Sequence, residues 1–264
     1  MLALKLTLVP AFLLLRSLAG KRWGPEVAGW LAGLPVVAGP ILFFVAVEQG
    51  QAFTATAAAS SLAAVFTLQV FSIVYAHAAW RAPWPVALSV ALASWFVAAI
   101  VLVKLPSSLT TSFCIAAATL MLAPHLFPAP SAEMMTRTVA ASELAIRMCT
   151  GALLTLFVTV AATWVGSQWS GVLAAFPLLA SVLAVFSHRS QGTAFAAALL
   201  RGTATGLYSF AAFFLVLSGM LRHRSTPAAF VVAAIVALAV QALTKRHLAP
   251  RSNGLRVATT ELEG

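Results

Sequence analysis

The chain contains two related segments, residues 24–53 and 166–195, that align without a gap at a constant offset of 142 residues. Eleven of the thirty aligned positions are identical. The identities extend beyond Ala and Leu to kink and turn residues and their neighbours: Gly24/Gly166, Gly29/Gly171, Pro35/Pro177, Gln49/Gln191, Gly50/Gly192 and Phe53/Phe195. A duplication inside an apolar chain is typical of membrane transporters built from two structural repeats. It predicts an architecture, and it leaves the substrate open.

Composition places the chain in a membrane. Apolar residues make up 61% of it and charged residues 8%, whereas soluble domains carry about 25% charged residues. Such a chain cannot cover its surface for water, so its solvent must be lipid. Lys and Arg lie mostly between apolar runs, so the net charge of +10 indicates membrane orientation rather than nucleic-acid binding. The expected partners are the bilayer and a small-molecule solute, with a homo-oligomer left open.

About 20 apolar residues cross a bilayer as a helix. The predicted spans are 2–18, 27–47, 53–76, 84–104, 108–125, 141–164, 170–187, 193–218 and 227–245. We therefore predict an all-α integral membrane protein with one polytopic domain over 1–264 and nine transmembrane helices. Its parts are repeat 1 (1–104), a connecting helix and linker (105–140), repeat 2 (141–246) and a polar cytoplasmic tail (247–264).

The connecting helix decides how the two repeats are related. If 108–125 crosses the membrane, the second repeat enters from the opposite side and the repeats are inverted; otherwise they are parallel. The segment is apolar enough to cross, and Pro106 and Pro128 bracket it. The prediction is two inverted four-helix repeats joined by a ninth helix.

The cation distribution favours an outside N-terminus and a cytoplasmic C-terminus. Ten cations fall in predicted cytoplasmic segments and four in outer segments, in the direction of the positive-inside rule. The cytoplasmic set is Arg16, Lys21, Arg22, Arg81, Arg137, Arg189, Lys245, Arg246, Arg251 and Arg256. The outer set is Lys5, Lys104, Arg222 and Arg224, of which the last two lie close to the bilayer and count against the assignment.

Helix interruptions recur in both halves and predict a solute-binding segment. Pro35 with Gly39 and Pro40 interrupts the second span, and Pro177 with Ser181 interrupts the seventh. A proline inside a helix frees a backbone carbonyl, and paired interruptions in two halves point to a transporter binding site. The alternative is a packing kink, which is common in membrane helices.

Charged residues within spans are further candidates. Arg201 lies about nine residues into the eighth span, near the predicted midplane at 1.5 Å per residue, and it predicts a contact to an anionic solute. Its alternative is a structural charge paired with a carbonyl or a carboxylate. Glu143 and Arg147 share a helix face and can pair. Because Lys5 is the repeat counterpart of Arg147, these three residues predict a gate or ion pair, with snorkelling anchors as the alternative.

No enzymatic site is predicted. The sequence has no nucleotide-binding, nucleophile-elbow or zinc-protease motif and no pair of acids suited to general acid–base catalysis. Its two cysteines sit in apolar runs without metal-ligand spacing. We therefore predict no catalytic residue, no metal and no cofactor.

The stretch AGLPVVAGPILFFVAVEQGQAFTATAA, and more loosely SGVLAAFPLLASVLAVFSHRSQGTAFAAALL, resembles the GlpM family of small bacterial inner-membrane proteins. The shared pattern is A/S-G-x-x-x-x-P early in a span, then an apolar run that ends in a polar pair and Gly. The chain looks like two such units fused through a connecting helix. The resemblance implies a bacterial inner membrane and an association with alginate exopolysaccharide production, and it supplies no catalytic or binding residues.

The preferred function is transport of a small, anionic or polar solute by alternating access between the repeats. One alternative is a non-transporting accessory or assembly factor for envelope exopolysaccharide, and another is a channel. A transporter needs a polar cavity between the repeats, an accessory protein is expected to be packed solid, and a channel needs a continuous wetted path.

Overall fold

The computed structural model describes residues 2–105, 108–129, 141–164 and 176–245. These residues form helices, one 3₁₀ turn at Leu31–Gly33 and no strand, which confirms the all-α class for this part of the chain. The helices are α1 (Leu2–Trp23), α2 (Pro25–Trp30), α3 (Ala38–Gln49), α4 (Gln51–Ala63), α5 (Val65–Ala79), α6 (Trp84–Val103), α7 (Leu109–Leu126), α8 (Ala141–Trp164), α9 (Leu178–Gln191), α10 (Thr193–Met220) and α11 (Thr226–Thr244).

Six helical stretches are long and apolar enough to cross a membrane, judged by length and composition. They are Pro25–Gln49, Gln51–Ala79, Trp84–Val103, Leu109–Leu126, Thr193–Met220 and Thr226–Thr244. Large apolar side chains such as Val97, Met121 and Ile235 are exposed on them, as contact with lipid requires. The chain is therefore an α-helical, multi-pass membrane protein.

Three of the nine predicted spans are not among these six. They correspond to α1, α8 and α9. Four cations lie within the 22 residues of α1, and α9 is 14 residues long. Residues 130–140 of the linker, the first third of the predicted seventh span and the polar tail lie outside the described residues.

The duplication extends to the helix boundaries. At the same offset of 142, α3 and α9 end at Gln49 and Gln191, α4 and α10 begin at Gln51 and Thr193, and α6 and α11 begin at Trp84 and Thr226. Between these helices, Gly50 and Gly192 adopt the same backbone conformation, with φ of 84° and 90°. This positive φ favours glycine, because a side chain there would be strained. The two halves thus repeat one backbone turn as well as one sequence pattern.

The second predicted span is broken at Pro35, one of the positions expected, but not at Gly39 and Pro40. Leu34 is extended (φ −70°, ψ 132°), and α3 begins only at Ala38, so Pro35 lies in the break. By contrast, Gly39 and Pro40 lie in the first turn of α3, where a missing N–H costs no intrahelical hydrogen bond.

The seventh predicted span shows a related arrangement. Pro177 directly precedes α9, and its carbonyl accepts from the backbone N–H of Ser181 (2.8 Å). Ser181 is therefore a regular helical residue and not part of an interruption. The chain just before Phe176 lies outside the described residues.

Equivalent helices of the two halves run in opposite directions where they pack. Along α4, α5 and α10, Ser218 donates to the carbonyl of Ala55 (2.8 Å) and Thr193 donates to the carbonyl of Ala79 (3.1 Å). The residue number therefore rises along one helix as it falls along the other.

The same holds for α1 and α8, which are also repeat equivalents. Arg147 reaches the hydroxyl of Ser17 (3.4 Å), and Gly151, one turn later in α8, lies against Leu13, one turn earlier in α1. These two helices are therefore antiparallel.

Contacts between the halves are also reciprocal. The second predicted span of each half packs against the fourth predicted span of the other half. Thus α3 contacts α11, and α9 contacts α6. The rings of Phe43 and Phe230 lie 5.3 Å apart on one side, and those of Trp95 and Phe176 lie 5.3 Å apart on the other. Reciprocal contacts are what a two-fold relation between like units produces.

The closest crossing in the core joins α2 and the adjoining 3₁₀ turn to α10. Gly29 and Gly33 of the first half face Gly202 and Gly206 of the second. A Cβ atom on any of the four would overlap the backbone of the opposite segment. Pairs of glycines spaced four residues apart allow helices to approach to backbone contact, so this crossing fixes α2 firmly on α10.

Candidate functional site

Five charged side chains lie on helices that contact one another in the order α8, α1, α2 and α10, and we call this group the charged junction. Its members are Arg16, Glu26, Glu143, Arg147 and Arg201. Arg16 bonds to α2 and α10, and its neighbour Ser17 bonds to Arg147. Glu26 is close enough to Arg201 to interact with it electrostatically. Because α1 and α8 are antiparallel, the C-terminal half of α1 meets the first turns of α8.

Arg147 is the best-satisfied cation of the charged junction. It is 2% exposed and forms an ion pair with Glu143 at 2.5 Å, as the i,i+4 spacing predicts. It also approaches the hydroxyls of Ser17 (3.4 Å) and Ser190 (3.3 Å) and lies over the ring of Phe186. One side chain thus ties α8 to α1 and α9, and its role as a gate stays a prediction.

Lys5, the third member of the predicted gate, lies at the other end of the α1–α8 pair. Its backbone belongs to the first turn of α1, while Arg147 belongs to the start of α8. Since the two helices are antiparallel, these counterparts are separated along the helix axis. The side chain of Lys5 lies outside the described residues.

Arg201 is held by protein groups. Its Nη2 donates to the carbonyl of Pro128, just after α7, and Glu26 supplies a nearby negative charge. These are the partners that the structural alternative requires, and neither belongs to the breaks at Pro35 and Pro177. Because α10 has 28 residues, Arg201 lies about 8 Å from the helix midpoint at 1.5 Å per residue. Its position relative to the bilayer midplane stays a prediction.

Arg16 is a member of the site that sequence reasoning missed, because it was assigned to a cytoplasmic segment. It is fully buried, and α1 continues past it to Trp23. Its Nε donates to the carbonyl of Ala28 (2.9 Å), and its Nη2 approaches the hydroxyl of Thr203 (3.4 Å). The available signal was the run Lys21-Arg22-Trp23, since paired cations beside a tryptophan mark a membrane interface and leave Arg16 inside it.

Side chains of the second half cap the carbonyls that the break at Pro35 would free. Ser209 donates to the carbonyl of Gly33 (3.1 Å), and the Nε2 of Gln241 donates to the carbonyl of Trp30 (2.8 Å). The same hydroxyl of Ser209 also lies within hydrogen-bond distance of the carbonyl of Gly206 (3.0 Å) and of Gln241 Oε1, and its one proton serves one of these acceptors at a time. The carbonyls of Trp30 and Gly33 are thus covered by protein side chains, and in this conformation they are not open to a solute.

The two breaks share an apolar cluster rather than a polar one. Val37 and Phe176, which lie beside the two prolines, pack against buried residues that include Leu183 and Leu200. Ser181 adds no free polar group there, because its hydroxyl donates to the carbonyl of Leu178 (3.0 Å). Among the described residues, the buried charges Arg16 and Arg147 thus belong to the charged junction and not to the paired breaks.

Among the described residues, no cluster of three or more His, Cys, Asp or Glu side chains occurs. The two cysteines, Cys114 and Cys149, are free and exposed.

Compared with models of protein families, with curated proteins and with solved structures, the chain shows no significant match in any of the three. The resemblance to the GlpM family therefore stays a prediction that rests on the quoted sequence pattern.

Proposed function

We propose that the protein is a membrane transporter for a small anion, built from two inverted repeats of four spans joined by α7. The observation that carries this proposal is the antiparallel packing of repeat-equivalent helices, α1 on α8 and α4–α5 on α10. A two-fold axis in the membrane plane relates the halves of many secondary transporters, and it produces this packing. In this proposal α1, α8 and α9 also cross the membrane.

The direction of α7 supports a crossing by the connecting helix. Tyr208 donates to the carbonyl of Leu120 (2.7 Å), and Arg201 donates to the carbonyl of Pro128. Residue numbers therefore rise along α7 as they fall along α10, so α7 runs in the direction of α5. Since α6 runs back between α5 and α7, the connecting helix α7 adds one crossing between the last span of repeat 1 and the first span of repeat 2. The cation bias then favours an outside N-terminus, a cytoplasmic C-terminus and, with the family resemblance, a bacterial inner membrane.

The charge balance of the charged junction supports an anionic solute. The charged junction contains three arginines and two glutamates, which leaves one excess positive charge. A charge inside a membrane protein is costly unless it faces water, a partner or a substrate. An anion bound between α1, α2 and α10 would compensate it.

Movement of one half against the other would give access to this site from each side. In the described conformation the glycine crossing of α2 on α10 and the capped carbonyls at Gly33 and Trp30 close the interface. On the other side of α1, Arg147 ties α8 to α9. Alternating access requires these two sets of contacts to open in turn, with the breaks at Pro35 and Pro177 as the points where the helices bend.

Uptake into proteoliposomes tests the proposal. Vesicles with purified protein are loaded with unlabelled chloride, nitrate, formate or phosphate, and counterflow of the labelled anion is followed. We expect saturable uptake of at least one monovalent anion, strongly reduced by Arg201→Ala and retained by Arg201→Lys and by the surface control Lys104→Met. Uptake of every anion at the rate of protein-free vesicles would reject transport.

A second candidate function has one observation in its favour. The interface between the halves is closed by backbone contact at Gly33 and Gly206 and by the hydrogen bonds of Ser209 and Gln241. Solid packing is what an accessory protein of envelope exopolysaccharide assembly would have. The two candidates differ in the vesicle experiment, because an accessory protein gives no counterflow for any solute.

A further inference from the structure

We propose that Arg16 is the core of a binding site for a small monovalent anion, formed where α1, α2 and α10 meet. The site deepens the proposed function, since it adds a second charge contact to Arg201. Its occupancy can be tested by binding alone, without any transport measurement.

Arg16 leaves one hydrogen-bond donor unused in the protein interior. Arg16 is 0% exposed and is the largest fully buried side chain of the described residues. Its Nε and Nη2 have the partners Ala28 and Thr203, but its Nη1 has no hydrogen-bond partner within that part of the chain. Buried donors are nearly always bonded, so an unbonded one in a native protein points to an unseen ligand.

The positive charge of Arg16 is uncompensated within the described residues. Glu143 pairs with Arg147, and Glu26 attracts Arg201. Within the described residues, no carboxylate pairs with Arg16. A guanidinium remains protonated in proteins, so Arg16 cannot relieve its burial by losing its charge. The described residues thus supply no counter-charge for Arg16, and one excess charge matches a monovalent anion as the ligand.

The duplication supplies an internal control for this residue. The counterpart of Arg16 at offset 142 is Val158 in α8, and the counterpart of Thr203 is Ser61 in α4. The hydroxyls of both residues donate to their own helices, Ser61 to Ala57 (3.0 Å) and Thr203 to Leu199 (3.0 Å), so the two positions differ in the arginine and not in the hydroxyl. The same backbone position is thus occupied by an apolar residue in the other half, so the fold itself does not require a cation there.

Geometry limits the size and the route of the ligand. The guanidinium of Arg16 is closed off on all sides, and Ala28 lies next to the α2–α10 glycine crossing. A ligand can reach Nη1 only when α1, α2 or α10 has moved, and it must be compact enough to stay after they close. Halides and nitrate fit these limits better than bulky organic anions.

Thermal unfolding of the purified full chain in detergent tests the site. Sodium gluconate is replaced by sodium chloride, bromide or nitrate at constant ionic strength, and the midpoint temperature is measured. We expect saturable stabilisation of the wild type. In Arg16→Met the anion concentration for half-maximal stabilisation rises about tenfold or more, as the loss of a charge-assisted hydrogen bond predicts. Arg16→Lys shifts less, and Lys104→Met, at an exposed cation, behaves as wild type.

Absence of stabilisation in the wild type, or an unchanged anion dependence in Arg16→Met, would overturn the proposal. If Arg16→Met does not fold, Thr203→Val and the anomalous scattering of bromide decide instead. Bromide within hydrogen-bond distance of Arg16 Nη1 supports the site, and bromide elsewhere or absent rejects it. An Arg16-dependent shift in a protein that moves no anion into vesicles would support the site and reject transport.

Discussion

The two halves of the chain share a backbone and differ in their polar residues. Helix ends recur at an offset of 142, and Gly50 and Gly192 make the same turn. Side chains at other equivalent positions are unlike: Arg16/Val158, Arg201/Ala59, Gly202/Ser60, Gly206/Ala64 and Gln241/Ala99. The duplication therefore accounts for the shared helix boundaries, and the differences between the halves place Arg201 and the glycine crossing in the N-terminal half of α10, with Arg16 bonded to the same half. A function that needs charge belongs there.

The largest expected loss of stability comes from a large side chain in the α2–α10 glycine crossing, compared with the same side chain at the repeat-equivalent position. Gly202→Leu would drive a side chain into the backbone of Glu26, so the helices must separate at a cost of about 3 kcal/mol or more. Ser60 is the repeat counterpart of Gly202 and is exposed, so Ser60→Leu is expected to change stability by about 0.5 kcal/mol at most. Unfolding titrations in mixed micelles measure both. Equal effects would show that the halves pack alike at this position.

The second largest loss of stability is expected at the ion pair of α8, Glu143 with Arg147. Glu143→Gln leaves the buried Arg147 without a carboxylate, which costs about 3 kcal/mol. The double variant Glu143→Gln/Arg147→Met should recover part of that loss, because it removes the unpaired charge as well. A double-mutant cycle in the same titration measures the coupling between the two residues. Additive effects would contradict a buried, interacting pair.

A smaller effect is expected at the cap of the broken helix. Gln241→Ala leaves the carbonyl of Trp30 without its donor and should cost about 2 kcal/mol. Ser209 lies within hydrogen-bond distance of the carbonyl of Gly33 (3.1 Å). Its repeat counterpart Thr67 bonds instead to the carbonyl of Ala64 in its own chain segment (2.9 Å). Ser209→Ala should therefore destabilise more than Thr67→Ala. The reverse order would show that the break needs no cap from the second half.

The smallest effect should be the same in both halves. Gly50→Ala and Gly192→Ala each force a side chain into a positive-φ turn, at about 1 kcal/mol. Nothing lies within 4 Å of a Cβ at either position, so steric contact does not distinguish them. Losses of stability that differ by more than about 0.5 kcal/mol would mean that the turn contributes differently to stability in the two halves.

Local features of the fold could be predicted from the sequence. The helix ends at Gln49 and Gln191 follow from a Gly that comes next, and the Glu143–Arg147 pair follows from their spacing of four. Both depend on neighbours within one helical turn, which the sequence shows directly.

Long-range features could not be predicted in the same way. The position of the break depends on Ser209 and Gln241, which are remote in sequence and cap the carbonyls of Gly33 and Trp30. The sequence assigns Arg16 to a cytoplasmic segment, because it does not show that the partners of Arg16, Ala28 and Thr203, lie on other helices. A single sequence gives no signal for such pairings, so the polar core emerged only with the tertiary structure.

The central claim is that the two halves are inverted in the membrane, and single-cysteine labelling tests it most directly. Cys114 and Cys149 are replaced by Ala, and Gln49→Cys or Gln191→Cys, at the equivalent ends of α3 and α9, is treated with a membrane-impermeant maleimide on intact cells. We expect Gln49→Cys and Gln191→Cys to be labelled from opposite sides of the membrane. Labelling of both from the same side would contradict inversion and, with it, alternating access between the halves.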